Sequence, residues 1–348
     1  MPPAHVADTV GDGATPLIAD RQAVLELYAE ARERRWVIPC FCSENLTTTE
    51  AVLAAVKAHG EKLGAGDLPV TLGMTNQYAH RTNSAYYTHT RRWDVGLRLF
   101  LADLKVLTDG DSPFGGLRVM VHLDHAQHDA DRELLGWDMR PFSSIMFDAS
   151  TLPLAENIRE TRAFVEKRGG EIVVEGACDE IVDATGSEVS ALTTPAGAER
   201  YLAETGVDFL VANLGTEHRA NAADLKYHGD LARRIAARVG LRIVLHGCSS
   251  VAPEQVRNLF GDGVCKVNLW TALERDTAPL LLAEMAANAS RIAGPARARA
   301  MHNRGLLGDG ADLKSPPSLR YYPTCYRQDI IFREMTRIVA GYLGLWYR

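Results

Sequence analysis

The chain has 348 residues, a length that fits either two domains or one large α/β barrel with extensions. Its 44 acidic and 38 basic residues give a formal net charge of −6, which argues against the basic surface of a nucleic-acid-binding protein. No segment approaches the roughly 20 apolar residues of a membrane helix, and the N-terminal segment lacks the apolar core of a signal peptide. Six cysteines are too sparse for a disulfide scaffold. We therefore expect a cytoplasmic protein that binds neither nucleic acid nor membranes.

The predicted elements begin with a Pro/Gly/Ala-rich leader, residues 1–15, which we expect to be mobile. Residues 16–34 have the apolar spacing of an amphipathic helix. Eight short apolar or β-branched segments then predict strands at residues 36–41, 69–74, 117–123, 143–147, 171–174, 207–214, 241–245 and 264–269. Helical patterns lie between them at residues 49–63, 93–107, 154–167, 195–204 and 222–239.

After the eighth strand, the pattern predicts a helix at 271–287, a polar stretch that contains Pro316 and Pro317, and a last amphipathic helix near 328–343. Eight strands alternating with helices predict a TIM (β/α)8 barrel with an N-terminal helix and a C-terminal helical extension. A doubly wound open sheet is the alternative, but it would normally carry a Gly-rich phosphate loop after an early strand, and none is present. No linker composition divides residues 16–348, so we expect a single domain.

Polar residues cluster at the ends of three predicted strands. The third strand leads into Asp124 and His125, the sixth into His218 and the seventh into His246. The carboxyl ends of barrel strands share one rim, so these three histidines are expected to meet there. Each one alone would more often be an ordinary hydrogen-bonded histidine. Together they favour a catalytic Zn²⁺ site, in which three protein ligands leave one position open for substrate.

Two neighbours of His125 each allow more than one role. Strand alternation puts His122 on the opposite face from His125 unless the strand has already ended, so we expect a core histidine or one that supports a ligand. Asp124 is placed to exchange a proton with whatever the metal holds. Alternatively, its carboxylate orients a metal-bound imidazole.

Five segments of the chain have a specific sequence in common with one known family. They are HLDH at 122–125, SSIMFDASTLPLAENIRET at 143–161, TGVDFLVANLGTEH at 205–218, VLHGCSS at 244–250 and KVNLWT at 266–271. On these segments the sequence resembles the class II, zinc-dependent fructose-bisphosphate and tagatose-bisphosphate aldolases, from about residue 36 to the C-terminal helix.

The resemblance implies an aldolase that makes or breaks a carbon–carbon bond through a zinc-stabilised enediolate of an anionic, ketose-type donor. It implies that Asp124 is the acid/base, and that the zinc ligands are His125, His218 and His246. It implies that Gly247, Ser249 and Thr271 contact the donor phosphate and that Asn268 contacts the enediolate. We expect a small-molecule sugar phosphate or related anion as substrate, and a homodimer or homotetramer.

Three positions depart from the family pattern near the expected substrate. Cys42 stands where the family has an asparagine, Arg219 replaces a glycine after the second zinc histidine, and Trp270 replaces an acidic or small residue. Arg219 would either block the usual phosphate position or bind an anion in a different way. These changes predict a donor that is smaller than usual or bound in a shifted pose.

The segment after the fifth strand also departs from the family pattern. Glu175 keeps the first family carboxylate, Ala177 has lost the second, and the following loop is several residues shorter. The base that removes the donor proton therefore cannot be transferred by resemblance. Glu188 is a candidate and Glu180 is another, although either could equally be a solvated loop charge.

Two other functions are compatible with the sequence. A non-catalytic metal- or ligand-binding descendant of the same barrel would explain the missing carboxylates, although such a protein has no need of Asp124. A Schiff-base aldolase would need a lysine in the barrel mouth. Lys266 could supply it by alternation with Asn268, but a zinc site makes a second electrophile redundant.

Overall fold

The computed structural model describes residues 17–181, 192–217 and 226–348. Eight parallel strands close into one barrel, each pairing with its neighbours in sequence and β8 pairing with β1. The strands are β1 Ile38–Cys42, β2 Pro69–Thr75, β3 Arg118–Gln127, β4 Ser144–Asp148, β5 Val173–Ala177, β6 Phe209–Val211, β7 Ile243–Leu245 and β8 Val264–Leu269. This topology confirms the predicted TIM barrel. The leader predicted for residues 1–15 lies outside the described residues.

Helices cover the outside of the barrel and form the predicted C-terminal extension. Those in the described residues are α1 Arg21–Glu33, α2 Leu46–Leu63, α3 Asn83–Tyr86, α4 Trp93–Leu107, α5 Leu154–Arg168, α6 Pro195–Thr205, α7 Gly229–Val239, α8 Thr271–Ala287, α9 Ala289–Ala293, α10 Pro295–Asn303 and α11 Thr324–Trp346. The last of them packs against α2 and α8. Nowhere in these described residues does a helix combine the length and apolarity needed to span a membrane.

Some helix boundaries differ from those predicted, for local reasons. The first helix begins at Arg21 rather than residue 16 because Leu17 pairs with Val119 as a β-bridge, and the Asp20 side chain caps the helix by accepting from the Ala23 amide at 2.9 Å. The helix predicted at 222–239 begins at Gly229, and residues 222–225 lie outside the described part. The polar stretch predicted after 287 contains two short helices, α9 and α10.

Several strands also differ from those predicted, and two of the differences bear on the site. The sixth ends at Val211 because the backbone of Asn213 bonds to Thr193 instead of to a neighbouring strand; the Thr193 amide donates to the Asn213 carbonyl at 3.0 Å. The third was predicted to end at residue 123 but continues to Gln127. The whole HLDH motif therefore lies within a strand.

A buried ion pair crosses the barrel interior. Lys266 of β8 donates to Glu175 of β5 at 2.6 Å, and both side chains have no exposed surface. Burial alone would lower the pKa of Lys266, but the Glu175 carboxylate outweighs burial and raises it, so the amine stays protonated. A protonated, paired lysine is unsuited to Schiff-base formation, and Lys266 does not line the pocket at the barrel mouth.

Replacing one partner of this pair should destabilise the barrel strongly. Lys266→Met leaves the Glu175 carboxylate buried without its cation, which costs about 3–5 kcal/mol of unfolding free energy. Urea denaturation measures the loss, and the double variant Glu175→Gln/Lys266→Met should recover most of it. A Lys266→Met loss below about 1 kcal/mol would contradict a stabilising role for the pairing.

Candidate metal and catalytic site

The site begins with an irregularity in β3. His125 has a φ of +48°, a left-handed conformation that is uncommon for a residue other than glycine. The register between β3 and β4 shifts at this point, between Leu123 and Ala126. Regular alternation would turn Asp124 and His125 to opposite faces of the strand. The irregularity instead brings both side chains to the same pocket.

Two of the three predicted histidine ligands lie side by side. Nε2 of His125 is 3.1 Å from Nδ1 of His246, and both rings are buried. One possible ligand atom from each of Asp124, His125 and His246 lies within 4.8 Å of the other two. Two imidazole nitrogens at this separation either share a proton or bind one cation, and zinc–nitrogen bonds of about 2.0–2.1 Å would fit between them. The donor set therefore fits a divalent metal ion.

Asp148, at the end of β4, fixes the orientation of His125. Its Oδ2 lies 2.8 Å from Nδ1 of His125 and also accepts from Gln127, while Oδ1 accepts from Ser150. Burial would raise the pKa of Asp148, but hydrogen bonding and charge from His125 lower it well below the usual range. An ionised Asp148 holds the proton of His125 on Nδ1, which leaves Nε2 available as a ligand atom.

Asp124 is held by donors on both carboxylate oxygens. Oδ1 accepts from Nδ2 of Asn268 at 2.9 Å, and Oδ2 accepts from the thiol of Cys42 at 3.1 Å. Nε2 of His122 lies 3.6 Å from Oδ1. Burial alone would raise the pKa of Asp124, but His125 and the other nearby histidines hold it well below its usual range. The carboxylate is therefore ionised.

His122 lies beneath Asp124 in the barrel interior. Its side chain is completely buried, and Nδ1 lies 2.8 Å from the hydroxyl of Ser144. Its Nε2 is 3.6 Å from Asp124 and 3.7 Å from Glu175. The histidine therefore sits between the acid–base candidate and the buried ion pair, and it does not line the pocket.

A cluster around Glu44 forms one wall of the pocket. Its carboxylate accepts from Nδ2 of Asn83 at 2.7 Å and from Nε1 of Trp270 at 3.0 Å, and it forms an ion pair with Arg81. The guanidinium of Arg81 also lies over the ring of Tyr86. This Glu44 cluster links the segments that follow β1, β2 and β8.

The structure brings most of the predicted substrate contacts into one pocket. Its lining includes the predicted residues Asp124, His125, His246, Gly247, Ser249, Asn268 and Thr271, together with Cys42 and Trp270. Gly247 has a φ of +67°, and a Cβ there would lie 2.8 Å from the backbone oxygen of Glu217. Three predicted site residues, His218, Arg219 and Glu188, lie outside the described residues. Glu180 lines the adjoining part of the cleft beside His125.

Several pocket residues were not predicted from the sequence. Tyr78 stacks on His125 with ring centroids 4.1 Å apart and planes 2° apart, and His80 and Arg81 also line the pocket. All three follow β2 in a segment without a recognisable motif. Asp148 could have been found, because a carboxylate at the end of a predicted strand, one strand from His125, is a natural partner for a ligand histidine.

With the fold and site defined, comparison with known proteins gives the family. The family model described as fructose-bisphosphate aldolase class-II matches residues 22–304. The chain belongs to this family.

Curated relatives match parts of the chain at modest identity. A fructose-bisphosphate aldolase of Giardia intestinalis is 30% identical over 184 residues, which are 43% of this chain and 55% of the relative. A D-tagatose-1,6-bisphosphate aldolase subunit of Klebsiella oxytoca is 31% identical over 164 residues, 45% and 57% of the two chains. A fructose-bisphosphate aldolase of Streptococcus pneumoniae is 29% identical over 252 residues, 69% and 75%. The chain thus spans little more than half the length of the first two.

Solved structures support the fold. The fructose-bisphosphate aldolase of Campylobacter jejuni has a TM-score of 0.69 at 18% identity and covers 95% of each chain. An aldolase of Escherichia coli K12 has a TM-score of 0.62 at 17% identity, with 95% of this chain and 97% of that chain covered. Identities this low bear on the architecture alone.

Removing the charge from Asp148 should weaken metal binding. In Asp148→Asn, an anion no longer keeps the His125 proton on Nδ1. Loss of such a partner lowers metal affinity roughly 10- to 100-fold. Competition with a chromogenic zinc chelator measures the affinity. The control is Asp208→Asn, which alters a partly buried carboxylate before β6 that pairs with Arg21. Equal zinc affinity in wild type and Asp148→Asn would contradict the assignment of His125 as a ligand.

Proposed function

We propose that the protein is a metal-dependent aldolase acting on a phosphorylated or otherwise anionic ketose-type donor. The observation that carries the proposal is the convergence of His125, His246 and an ionised Asp124 at the mouth of a barrel of this family, with Asp148 orienting His125. A purely structural metal site would not need a second buried carboxylate held by its own donors. The non-catalytic alternative therefore gains no support from the geometry.

His125 and His246 would hold one divalent ion, and His218 is proposed as the third ligand from its sequence position. We favour zinc because three imidazoles suit it and leave one position open. When bound, such an ion polarises the donor carbonyl and stabilises the negative charge of the enediolate.

Asp124 would perform the proton transfer that accompanies carbon–carbon cleavage. It takes the proton from the hydroxyl on the carbon that becomes the released aldehyde, and returns it during condensation. Asn268 shares the pocket and donates to Oδ1 of Asp124, so its amide fixes the carboxylate while contacting the donor. A separate base must remove the donor proton in the condensation direction. Glu188 and Glu180 remain the two candidates.

The anionic group of the donor would bind on the β7–β8 side of the pocket. Gly247, Ser249 and Thr271 line this side, and Thr271 is the first residue of the 17-residue helix α8. Backbone amides at a helix N-terminus favour a phosphate or carboxylate. Arg219 would add a fork of donors for the same anion. We also propose that the enzyme is cytoplasmic and homo-oligomeric; the free state of all six cysteines accords with a reducing compartment.

Asp124→Asn tests the proposal directly. The amide keeps the shape of the side chain but cannot exchange the proton, so turnover should fall roughly 10²- to 10⁴-fold while zinc content is unchanged. Aldol and retro-aldol assays over phosphorylated and unphosphorylated ketoses, with and without chelator, give the turnover. Asp138→Asn, at an exposed carboxylate paired with Arg140, is the control. Near wild-type turnover in Asp124→Asn, or full activity after chelation, would refute the mechanism.

The departures from the family pattern predict weak activity on the ordinary substrate. Trp270 occupies volume in the pocket. Arg219, which the family resemblance puts near the donor anion, would add a positive charge, so cleavage of fructose 1,6-bisphosphate should stay below about 10⁴ M⁻¹s⁻¹ in kcat/KM. Arg219→Gly should raise that value, while the exposed Arg320→Gly should not. A wild-type efficiency at or above about 10⁴ M⁻¹s⁻¹ would show that these substitutions leave the usual pose intact.

A further inference from the structure

The structure assigns a role to Cys42: we propose that its thiol is a positioning residue, which holds Oδ2 of Asp124 in the orientation needed for proton transfer. The inference rests on the proposed function, because it concerns the acid–base step assigned to Asp124. It goes beyond that function because it names the donor that fixes the carboxylate. This donor is a thiol, at a position where the resembling family has an asparagine.

The path of the thiol to Asp124 depends on Gly73. Cys42 pairs with Gly73 on β2, and Gly73 pairs with His122 on β3, so this glycine lies between the two strands that carry the thiol and the carboxylate. A Cβ at Gly73 would lie 2.9 Å from the sulfur atoms of both Cys40 and Cys42. The missing side chain makes room for the two thiols and lets Cys42 reach across β2 to Asp124.

The hydrogen bond supplies a constraint that the Asp124 side chain lacks by itself. The last torsion of an aspartate has a broad energy profile, so its neighbours must fix the plane of the carboxylate. Asn268 holds only Oδ1, at 2.9 Å, whereas Cys42 holds Oδ2 at 3.1 Å from the other side. Two donors on different oxygens prevent the rotation that either one alone would allow. A misplacement of about 1 Å can lower a rate 10²-fold.

Other roles for Cys42 fit the geometry less well. The residue is 2% exposed, which leaves little surface for a nucleophile to meet a substrate. Among the described residues, the only group of three or more possible ligand atoms that lie together comes from Asp124, His125 and His246, and the sulfur of Cys42 is not part of it. Simple packing is also insufficient, because an apolar side chain would fill the space without donating to Oδ2.

Variants that separate the two proton transfers test the proposal. Condensation of dihydroxyacetone phosphate with glyceraldehyde requires Asp124, whereas exchange of the donor's α-proton with deuterated water needs only the metal site and the other base. Cys42→Ala should lower kcat for condensation roughly 10- to 100-fold, as expected for a lost hydrogen bond to a charged group, and change KM less than about twofold. Proton exchange and zinc content should stay at wild-type values.

Three further variants complete the experiment. Cys42→Ser keeps a donor and should recover most of the condensation rate. Cys265→Ala is the matched control, because this buried strand thiol donates to the carbonyl of Ile243 outside the site. In an Asp124→Asn background, Cys42→Ala should have no additional effect, since the carboxylate through which the thiol acts is already gone.

The outcomes distinguish the two proposals. Three results would overturn the role of Cys42 while leaving the acid–base assignment intact. In the first, Cys42→Ala lowers condensation and proton exchange equally; in the second, it lowers neither. In the third, Cys42→Ala causes the same loss of condensation in the Asp124→Asn background as in the wild type. Wild-type condensation in Asp124→Asn itself would overturn the proposed function and the positioning role together.

Discussion

The site depends on one backbone conformation, the positive φ of His125. In a regular strand, neighbouring side chains point to opposite faces, so Asp124 and His125 could not both face one pocket. The left-handed residue and the adjacent register shift remove that restriction. Such a conformation carries strain, of the order of 1–3 kcal/mol, which the surrounding contacts must offset. Hydrogen bonding to Asp148 and stacking against Tyr78 hold the ring of His125 in this arrangement.

Below this residue, the barrel interior is polar along a continuous line. Asp124 lies near His122, His122 lies near Glu175, and Glu175 pairs with Lys266, all of them buried. Most TIM barrels fill this space with branched apolar side chains. Here the Glu175 carboxylate is paired with Lys266, and the low-dielectric interior strengthens this ion pair. The same groups that stabilise the barrel thus support the carboxylate at its mouth.

The sequence predicted the barrel well because each strand is an apolar segment of ordinary length followed by a helix pattern. It also identified His125 and His246 correctly as neighbours, since strand ends share a rim. It could not predict that β3 continues to Gln127, because a bulge has no signature in side-chain hydrophobicity. The Glu44 cluster was equally hidden: Arg81 and Trp270 are 37 and 226 residues from Glu44 in sequence, and the three meet only after the barrel closes.

The Glu44 cluster also constrains how this pocket can change during evolution or design. A smaller residue at position 270 would enlarge the pocket but remove the indole that donates to Glu44, and the buried carboxylate would lose a partner. Changing Glu44 in turn would release Arg81 and Asn83. Variation at these positions is therefore expected to be epistatic, so paired substitutions should reach a new pocket shape more readily than single steps.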